Sequence, residues 1–144
     1  MKIREAKKKD VEDYKKLREE SMKDYSKLAG EKMTLNEDLR KEFLQLISKN
    51  NLILMLELKK NIIGFISGNF NSANKSSYIS DIFIEKEFRK KGYATKLLKE
   101  FIRIAKEKGI KKVRLGVRKN NIKAIKIYKK IGFDIAHYEM ERII

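Results

Sequence analysis

A short basic segment with a single glycine, RKKGYAT at positions 89–95, has the residue types of an anion-binding turn. A turn that leads into a helix exposes backbone N–H groups, and the helix dipole adds partial positive charge at the same end. Gly92 permits a positive φ or a close approach of a ligand to the backbone. Such a turn suits a pyrophosphate. It has neither the GK[ST] ending of a phosphate-binding loop nor the GxGxxG dinucleotide pattern, and on its own it is more often an ordinary loop.

The residue types that are absent or rare exclude several kinds of chemistry. The sequence has no cysteine, which excludes disulfides, thiolate zinc sites, iron–sulfur clusters and a cysteine nucleophile. His137 is the one histidine, which excludes the HExxH zinc motif and any site that needs two imidazoles. We therefore expect no metal cofactor.

The charge balance indicates either an anionic partner or a solvated basic surface. Lys and Arg number 36 against 20 Asp and Glu, a formal net charge of +16. Nucleic acid, a membrane surface and a phosphorylated cofactor are all anionic partners of this kind. The basic start is not followed by an apolar run, and the longest apolar stretch, residues 52–56, is too short for a membrane span. We expect a cytoplasmic chain of one domain, residues 1–144, because 42% hydrophobic residues can form a core.

The elements that must position these residues follow from the apolar periodicity. It predicts strands at residues 2–6, 51–58, 62–70, 76–85, 112–117 and 133–144, and helices at residues 93–108 and 121–131. Two earlier helices are opened by Asp10 and Thr34, with Asp13 and Glu37 at the capping-box spacing. The order β-α-α-β-β-β-α-β-α-β predicts a mixed α/β sheet with helices on both faces.

Two motifs on these elements resemble those of the GNAT superfamily of acetyl-CoA-dependent N-acetyltransferases. The family signature [RQ]-x-x-G-x-[GA] stands here as RKKGYA at positions 89–94. The second motif is matched in spacing and residue type by Asn121, Ala124, Tyr128, Gly132 and Phe133. The resemblance covers essentially the whole chain. It implies an α/β (α+β) fold, with a central mixed, mostly antiparallel sheet and helices on both faces, and an acetyl-CoA-dependent N-acetyltransferase activity.

The resemblance also implies where acetyl-CoA binds. The pantetheine arm lies along the main chain of the strand before the glycine turn, and the pyrophosphate accepts hydrogen bonds from the turn. Arg89 either contacts phosphate or only fixes the turn, and Asn121 both caps its helix and bonds the coenzyme arm. The coenzyme-binding residues implied in this way are Ile82, Phe83, Ile84, Arg89, Lys90, Lys91, Gly92, Tyr93, Ala94, Thr95, Asn121 and Tyr128.

For catalysis the resemblance implies that Tyr128 protonates the departing thiolate, although it also fits the apolar stripe of an amphipathic helix. One branch of the family keeps a glutamate where this sequence has Gly116, so that base is missing. Another branch carries an acid on the strand before the glycine turn, where Asp81 stands here. A charge within an apolar strand is costly unless it meets water or a partner. Asp81 therefore either binds or, through water, deprotonates the amine, or it is a structural carboxylate paired to a Lys or Arg.

Two functions of different classes follow. The first is direct transfer of the acetyl group from acetyl-CoA to a primary amine of a small molecule or protein, because no cysteine can carry the acetyl group. A polyamine is disfavoured by the net charge unless Asp81, Glu85 and Glu37 form an acidic cluster. The alternative is a catalytically inactive GNAT-fold binding module whose basic surface binds nucleic acid, which the lack of a nucleic-acid motif disfavours. The expected partners are acetyl-CoA and an amine, with no membrane, and the sequence leaves a homodimer open.

Overall fold

The computed structural model describes residues 1–34 and 38–144. Its strands are β1 (Lys2–Glu5), β2 (Asn51–Leu58), β3 (Asn61–Asn71), β4 (Ser76–Ile84) and β5 (Lys112–Leu115). Its helices are α1 (Val11–Ala29), α2 (Leu39–Leu46), α3 (Tyr93–Glu107) and α4 (Ile122–Ile131). Short 3₁₀ turns at Lys8–Asp10 and Lys86–Phe88 precede α1 and the turn that leads into α3.

The strands form one sheet in the order β1-β2-β3-β4-β5. Neighbouring strands are antiparallel except for the parallel pair of β4 and β5. The short turns between β2, β3 and β4 allow antiparallel pairing, whereas α3 is the crossover that brings β5 back parallel to β4. The β2–β3 turn is tight, because Lys59 and Lys60 both have positive φ, as a two-residue hairpin loop requires.

The sheet separates two apolar clusters, and helices cover both of its faces. On one face α3 and α4 pack on the sheet, with Leu97 and Phe101 of α3 fully buried. On the other face α1 and α2 pack, with Tyr14 and Phe43 buried. Alternate residues of β2 serve the two clusters, because successive side chains of a strand point to opposite faces: Leu52, Leu54 and Leu56 in the first, Ile53 and Met55 in the second. The prediction of a mixed, mostly antiparallel sheet between two helical layers is confirmed. Within residues 1–34 and 38–144, the helices are too short or too polar to cross a membrane.

The starts of the first two helices differ from the sequence prediction. Asp10 lies at the N-cap position of α1, but its carboxylate accepts the N–H of Lys7 at 2.7 Å and pairs with Arg4. It therefore holds the preceding turn, and the capping box with Asp13 is wrong. The second helix begins at Leu39 rather than at Thr34, because the side chain of Asp38 caps it through the N–H of Lys41. Glu37, the predicted partner of Thr34, lies outside the described residues.

The last predicted strand, residues 133–144, is wrong for the chain as described. The helix α4 ends at Gly132, which has a φ of 107°, and the sheet pairs contain no residue beyond Leu115. Every residue from 134 to 144 is exposed. The segment pairs with no strand among the described residues, so it does not extend the sheet.

Candidate active site

The site lies where β4 and β5 separate. The parallel pairs between them end at Ile79 and Leu115, whereas β4 continues to Ile84. On the opposite edge β4 stays paired to β3 as far as Ile84. Residues 80–84 thus have one edge without a strand partner among the described residues. Ile82, Phe83 and Ile84, the predicted main-chain contacts for the coenzyme arm, lie on this open edge.

The glycine turn lies directly after this open edge, at the N-terminus of α3. Gly92 is the N-cap residue of α3, with a φ of 79°, and Lys90 also has a positive φ of 64°. Left-handed residues in a turn direct neighbouring N–H groups to one side, which produces a concave anion site. A Cβ added at Gly92 would meet no atom within 4 Å, so the space above the turn is open to solvent. The geometry fits a phosphate group, and Tyr93, Ala94 and Thr95 form the first turn of the helix beneath it.

Arg89 is held by three groups of the protein itself. Its Nε donates to the carbonyl of Ile84 at 2.8 Å, and its Nη2 lies 2.6 Å from a carboxylate oxygen of Asp24 in α1. Its guanidinium also lies over the ring of Phe83, at 5.1 Å from the centroid. These contacts favour the second of the two predicted roles, in which Arg89 fixes the turn. Lys90 and Lys91 add two further exposed cations.

The helix α4 carries Tyr128, which packs against the apolar cluster that α3 covers. Asn121 caps this helix, because its side-chain oxygen accepts the N–H of Ala124 at 3.3 Å. Tyr128 is half-buried, and its ring packs edge-to-face against Phe133, with centroids 6.0 Å apart. Burial raises the pKa of the Tyr128 hydroxyl, and the nearby carboxylate of Asp81 raises that pKa further. Asp81, which is far from Tyr128 in sequence, is therefore near enough in the fold to affect its pKa.

Asp81 lies beside a β-bulge in β4. The β3–β4 pairs shift between Ser67, opposite Asp81, and Gly68, opposite Ile79, so Ser80 is the extra residue. Bulges redirect side chains and often lie next to active sites. The Asp81 carboxylate accepts weak hydrogen bonds from Ser21 at 3.3 and 3.4 Å. The bulge thus turns one acidic side chain out of an apolar strand toward α1.

Three polar residues of the α1–α2 layer complete the surroundings of Asp81. Arg18 lies 3.5 Å from its carboxylate and 3.7 Å from that of Glu42, which also accepts the Tyr14 hydroxyl at 2.8 Å. Burial raises the pKa of Asp81, against the lowering effect of Arg18 and of the hydrogen bond from Ser21. Arg18 is therefore the charged partner that a structural role of Asp81 requires, but its effect on the pKa of Asp81 is smaller than that of burial.

The sequence analysis did not identify Arg18, Ser21 or Glu42 as part of the site. A signal for two of them is present, because Tyr14, Arg18 and Ser21 recur at helical spacing on the buried face of α1. Polar residues on an apolar helix face indicate a buried polar partner. Glu42 comes from α2, and only the tertiary packing brings it to the same place.

Two further positions bear on the choice of base. A Cβ at Gly116 would lie 3.0 Å from the hydroxyl of Tyr78, so a glutamate at that position needs a small shift of the Tyr78 side chain. Glu85, one of the residues whose clustering with Asp81 would make a polyamine more favourable, pairs with Lys16 at 3.3 Å. Glu37 lies outside the described residues. Near the amine side, Asp81 and Glu42 with Arg18 between them are thus the charged groups that the structure brings together.

Comparisons with known proteins give matches by family, by sequence and by fold. A model of the Acetyltransferase (GNAT) family matches residues 14–133. The thialysine N-epsilon-acetyltransferase of Sus scrofa is 34% identical over 58 residues, which are 40% of this chain and 34% of that protein. The chain thus spans about a third of the length of this curated relative.

Solved structures match over nearly the full length of the chain. The PaiA N-acetyltransferase of Thermoplasma acidophilum, in complex with coenzyme A, has a TM-score of 0.81 and 24% identity, over 96% of this chain and 92% of that one. A tetramutant protein of Bacillus halodurans has a TM-score of 0.88 and 20% identity, over 100% of both chains. At these identities the likeness shows a shared fold.

Proposed function

Because the chain belongs to the Acetyltransferase (GNAT) family, we propose that it transfers the acetyl group of acetyl-CoA directly to a primary amine. The family and its relatives support an N-acetyltransferase activity. The proposal adds that acetyl-CoA is the donor and a primary amine is the acceptor. One observation carries these steps. The open edge of β4 ends in a left-handed glycine turn, and the carboxylate of Asp81 on this strand is near enough to Tyr128 to raise its pKa.

The coenzyme side of the proposal uses mainly backbone groups. The pantetheine amides would pair with the open edge at Ile82, Phe83 and Ile84, although the Ile84 carbonyl already accepts Arg89. The pyrophosphate would accept N–H groups from the turn and from the start of α3. Lys90 and Lys91 would add long-range electrostatic attraction for the pyrophosphate. The side-chain NH2 group of Asn121 would donate to the coenzyme arm. Backbone recognition of this kind depends on conformation more than on side-chain identity.

The amine side of the proposal uses Asp81. An alkylammonium has a pKa of about 10.4 in water and must lose a proton before its nitrogen can attack the thioester carbonyl. A carboxylate with a raised pKa is a better general base than an ordinary aspartate, because its pKa lies nearer to the pH at which the enzyme works. Asp81 would first attract the ammonium and then take its proton, directly or through water. Arg18 would keep part of the Asp81 population ionised, since its charge lowers the Asp81 pKa.

Tyr128 serves the leaving group in this proposal. When the amine nitrogen bonds to the acetyl carbon, the C–S bond breaks and the thiolate of coenzyme A needs a proton. A phenol in its neutral form can donate one, and the raised pKa of Tyr128 keeps it neutral. The negative charge of Asp81 works in the same direction. A backbone N–H of the open edge would stabilise the tetrahedral oxyanion.

Of the components of this proposal, the size of the acceptor amine is the one that the structure constrains least. The name of the thialysine relative describes transfer to a side-chain nitrogen of a small amino compound, which favours a small primary amine here. A protein amine is the other acceptor that the open gap allows. The net charge of +16 disfavours a polycation, and Arg18 beside Asp81 adds to that effect. A cytoplasmic location and an acetyltransferase domain that fills residues 1–144 belong to the same proposal.

A pair of glycine substitutions tests the coenzyme site. Gly92→Glu places a carboxylate in the phosphate position, and we expect acetyl-CoA binding measured by calorimetry to fall below detection. Gly109→Glu is the matched control, because Gly109 follows the other end of α3 with a φ of 78° and the same open space. Both variants strain a left-handed residue alike, so a difference in binding isolates the charge at the phosphate position. Equal acetyl-CoA affinity in both folded variants would overturn the site.

Turnover is tested by release of free coenzyme A thiol from acetyl-CoA across a panel of primary amines, small molecules and peptides. The unmodified chain has no cysteine, so the thiol signal has no background from the protein. We expect release with at least one amine and none without an amine. A chain that binds nucleic acid in a salt-sensitive manner but does not bind acetyl-CoA would instead support the nucleic-acid module.

A further inference from the structure

Given the proposed transfer of an acetyl group to a primary amine, on which this inference rests, we propose that Arg118 binds a carboxylate of the acceptor. The acceptor class is then an amine that also carries a carboxylate a short distance away. Arg118 lies in the segment between the end of β5 at Leu115 and the start of α4 at Ile122. It therefore lies on the β5 side of the gap, across from the open edge of β4.

Arg118 is a partly buried cation without a carboxylate partner in the described chain. Its Nε is shielded from solvent and has no hydrogen-bond partner there. The ion pairs within residues 1–34 and 38–144 do not include Arg118. Other arginines next to α1 each have a carboxylate: Arg4 with Asp10, Arg18 with Asp81 and Arg89 with Asp24. A half-buried charge of this kind bears a desolvation cost that a carboxylate of a ligand would offset.

Tyr25 of α1 holds the guanidinium of Arg118 in place. The Cζ of Arg118 lies over the Tyr25 ring, 5.4 Å from its centroid. A ring contact of this kind attracts the cation but accepts no conventional hydrogen bond, so the N–H groups keep their capacity for a carboxylate. Tyr25 is 42% exposed, which leaves this pair open to a small molecule from solvent. The contact thus orients Arg118 without neutralising it.

The helix α1 places Arg118 about one helical turn from Asp81. Ser21 donates to the carboxylate of Asp81, and Tyr25, four residues later on the same face of α1, contacts Arg118. Four residues advance a helix by about 6 Å along its axis. One small molecule can therefore place its amine at Asp81 and its carboxylate at Arg118. Arg18 is less suited to the same carboxylate, because it already lies between Asp81 and Glu42.

The segment that carries Arg118 is fixed on both sides. The side-chain amide of Asn120 donates to the carbonyl of Leu28 at the end of α1, at 2.9 Å. The N–H of Asn121 donates to the carbonyl of Arg118 itself, also at 2.9 Å. A cation held in this way needs little ordering when a ligand binds, which favours affinity. A polyamine, by contrast, would bring a second ammonium group to Arg118 and be repelled.

Pairs of acceptors that differ in one carboxylate test the proposal. Short ω-amino acids of increasing length are compared with their primary amides, and peptides with Asp beside the free amine are compared with their Asn counterparts. In the unmodified protein we expect kcat/KM for the better acid to exceed that of its amide by about tenfold or more, the effect of a charged hydrogen bond. The difference should lie mainly in KM, because Arg118 binds a group that does not react. The two kinds of pair distinguish a small aminocarboxylate from a protein amine.

Substitutions at Arg118 and its neighbour assign the preference to one side chain. Arg118→Gln should bring kcat/KM for the acids down to that of the amides and leave the amides unchanged. Arg118→Lys keeps the charge without the planar fork and should retain part of the preference. Lys119→Gln is the matched control, because it removes the same charge from the exposed neighbouring residue and should leave the preference intact. Thermal unfolding and acetyl-CoA affinity check that each variant is folded.

The proposal is overturned by an unmodified protein that accepts acids and amides equally, or by a folded Arg118→Gln variant that loses both alike, since Arg118 would then be structural. If Arg118→Gln does not fold, the acid-to-amide ratio of Arg118→Lys decides in the same way. A protein that releases no thiol with any amine would contradict the proposed function instead. Calorimetry of an ω-amino acid with the chain saturated with coenzyme A then tests Arg118 separately: binding that the Arg118 variants weaken supports the carboxylate site, and no binding overturns it.

Discussion

Two aspartates that both contact the α1 layer are held in opposite ways. Asp10, at the start of α1, has a side chain 4% exposed and forms a two-pronged pair with Arg4 at 2.8 and 2.9 Å. The Arg4 hydrogen bonds lower the pKa of Asp10 despite its burial. Asp81, under the middle of α1, has a side chain 22% exposed and longer contacts of 3.3 to 3.5 Å with Ser21 and Arg18. Burial raises its pKa.

The difference indicates which carboxylate is available for chemistry. A carboxylate that is fully paired is stable in its charged form, so it is a weak base toward a ligand. A carboxylate that is buried with long, poorly aligned contacts carries an unfavourable charge, and an ammonium group would relieve it. Asp10 therefore has the features of a structural residue and Asp81 those of a functional one. The predictions below test this contrast.

The largest effect is expected from Asp81→Asn. The amide keeps the shape of the side chain and removes the charge, so kcat/KM for any accepted amine should fall by about 10²-fold or more, the usual contribution of a general base. The acetyl-CoA affinity should stay unchanged. In the unmodified protein kcat/KM should rise with pH through the raised pKa of Asp81, and this limb should be absent from the variant. Superimposable pH profiles of the two proteins would show that Asp81 is structural.

The same experiment has a second control at Gly116. Adding Gly116→Glu to Asp81→Asn should not restore activity, because the new carboxylate would approach from the end of β5 rather than from the position of Asp81. Recovery of kcat/KM in the double variant would mean that the position of the base is less constrained than the contrast implies.

Tyr128→Phe should have the next largest effect. The substitution keeps the ring that packs on Phe133 and removes the proton, so kcat should fall at least about tenfold while acetyl-CoA binding is retained. Because the charge of Asp81 raises the pKa of Tyr128, Asp81→Asn should lower that pKa in an ultraviolet titration of the phenol. Turnover equal to that of the unmodified protein would assign the protonation of the thiolate to solvent.

Asp10→Asn should leave catalysis unchanged and destabilise the fold. Loss of a charged hydrogen-bond partner of the partly buried Arg4 costs about 1.5–3 kcal/mol of unfolding free energy. The lowered pKa means that this stability is present above the unfolded value of 3.8 and is lost as the pH falls through the folded pKa. Urea unfolding at neutral and acid pH would measure the difference, and a loss of kcat/KM at constant stability would contradict the contrast.

How far the sequence could predict the molecule depends on how local each interaction is. The glycine turn and α4 were predictable, because Gly92 and Asn121 set their own backbone and cap through neighbours within a few residues. The surroundings of Asp81 were not, since a bulge at Ser80, a face of α1 and a residue of α2 meet there only after folding. Residues 133–144 show a third case: their apolar side chains predicted a strand, but a strand also needs a paired neighbour, and this segment pairs with none of the described strands.

The smallest effect separates the two aspartates by the sign of a stability change. Because the folded pKa of Asp81 is raised above 3.8, the folded state holds its proton more tightly than the unfolded state, and stability falls as the pH rises through the folded value. Asp81→Asn removes this penalty. The variant should therefore be slightly more stable than the unmodified protein at neutral pH, with the gap closing below the unfolded pKa, where both side chains are neutral. Thermal unfolding across that pH range, with Asp10→Asn as the reference of opposite sign, measures the effect. A variant that is less stable at neutral pH would mean that the contact with Arg18 outweighs the burial of the carboxylate, and Asp81 would then be a structural residue like Asp10.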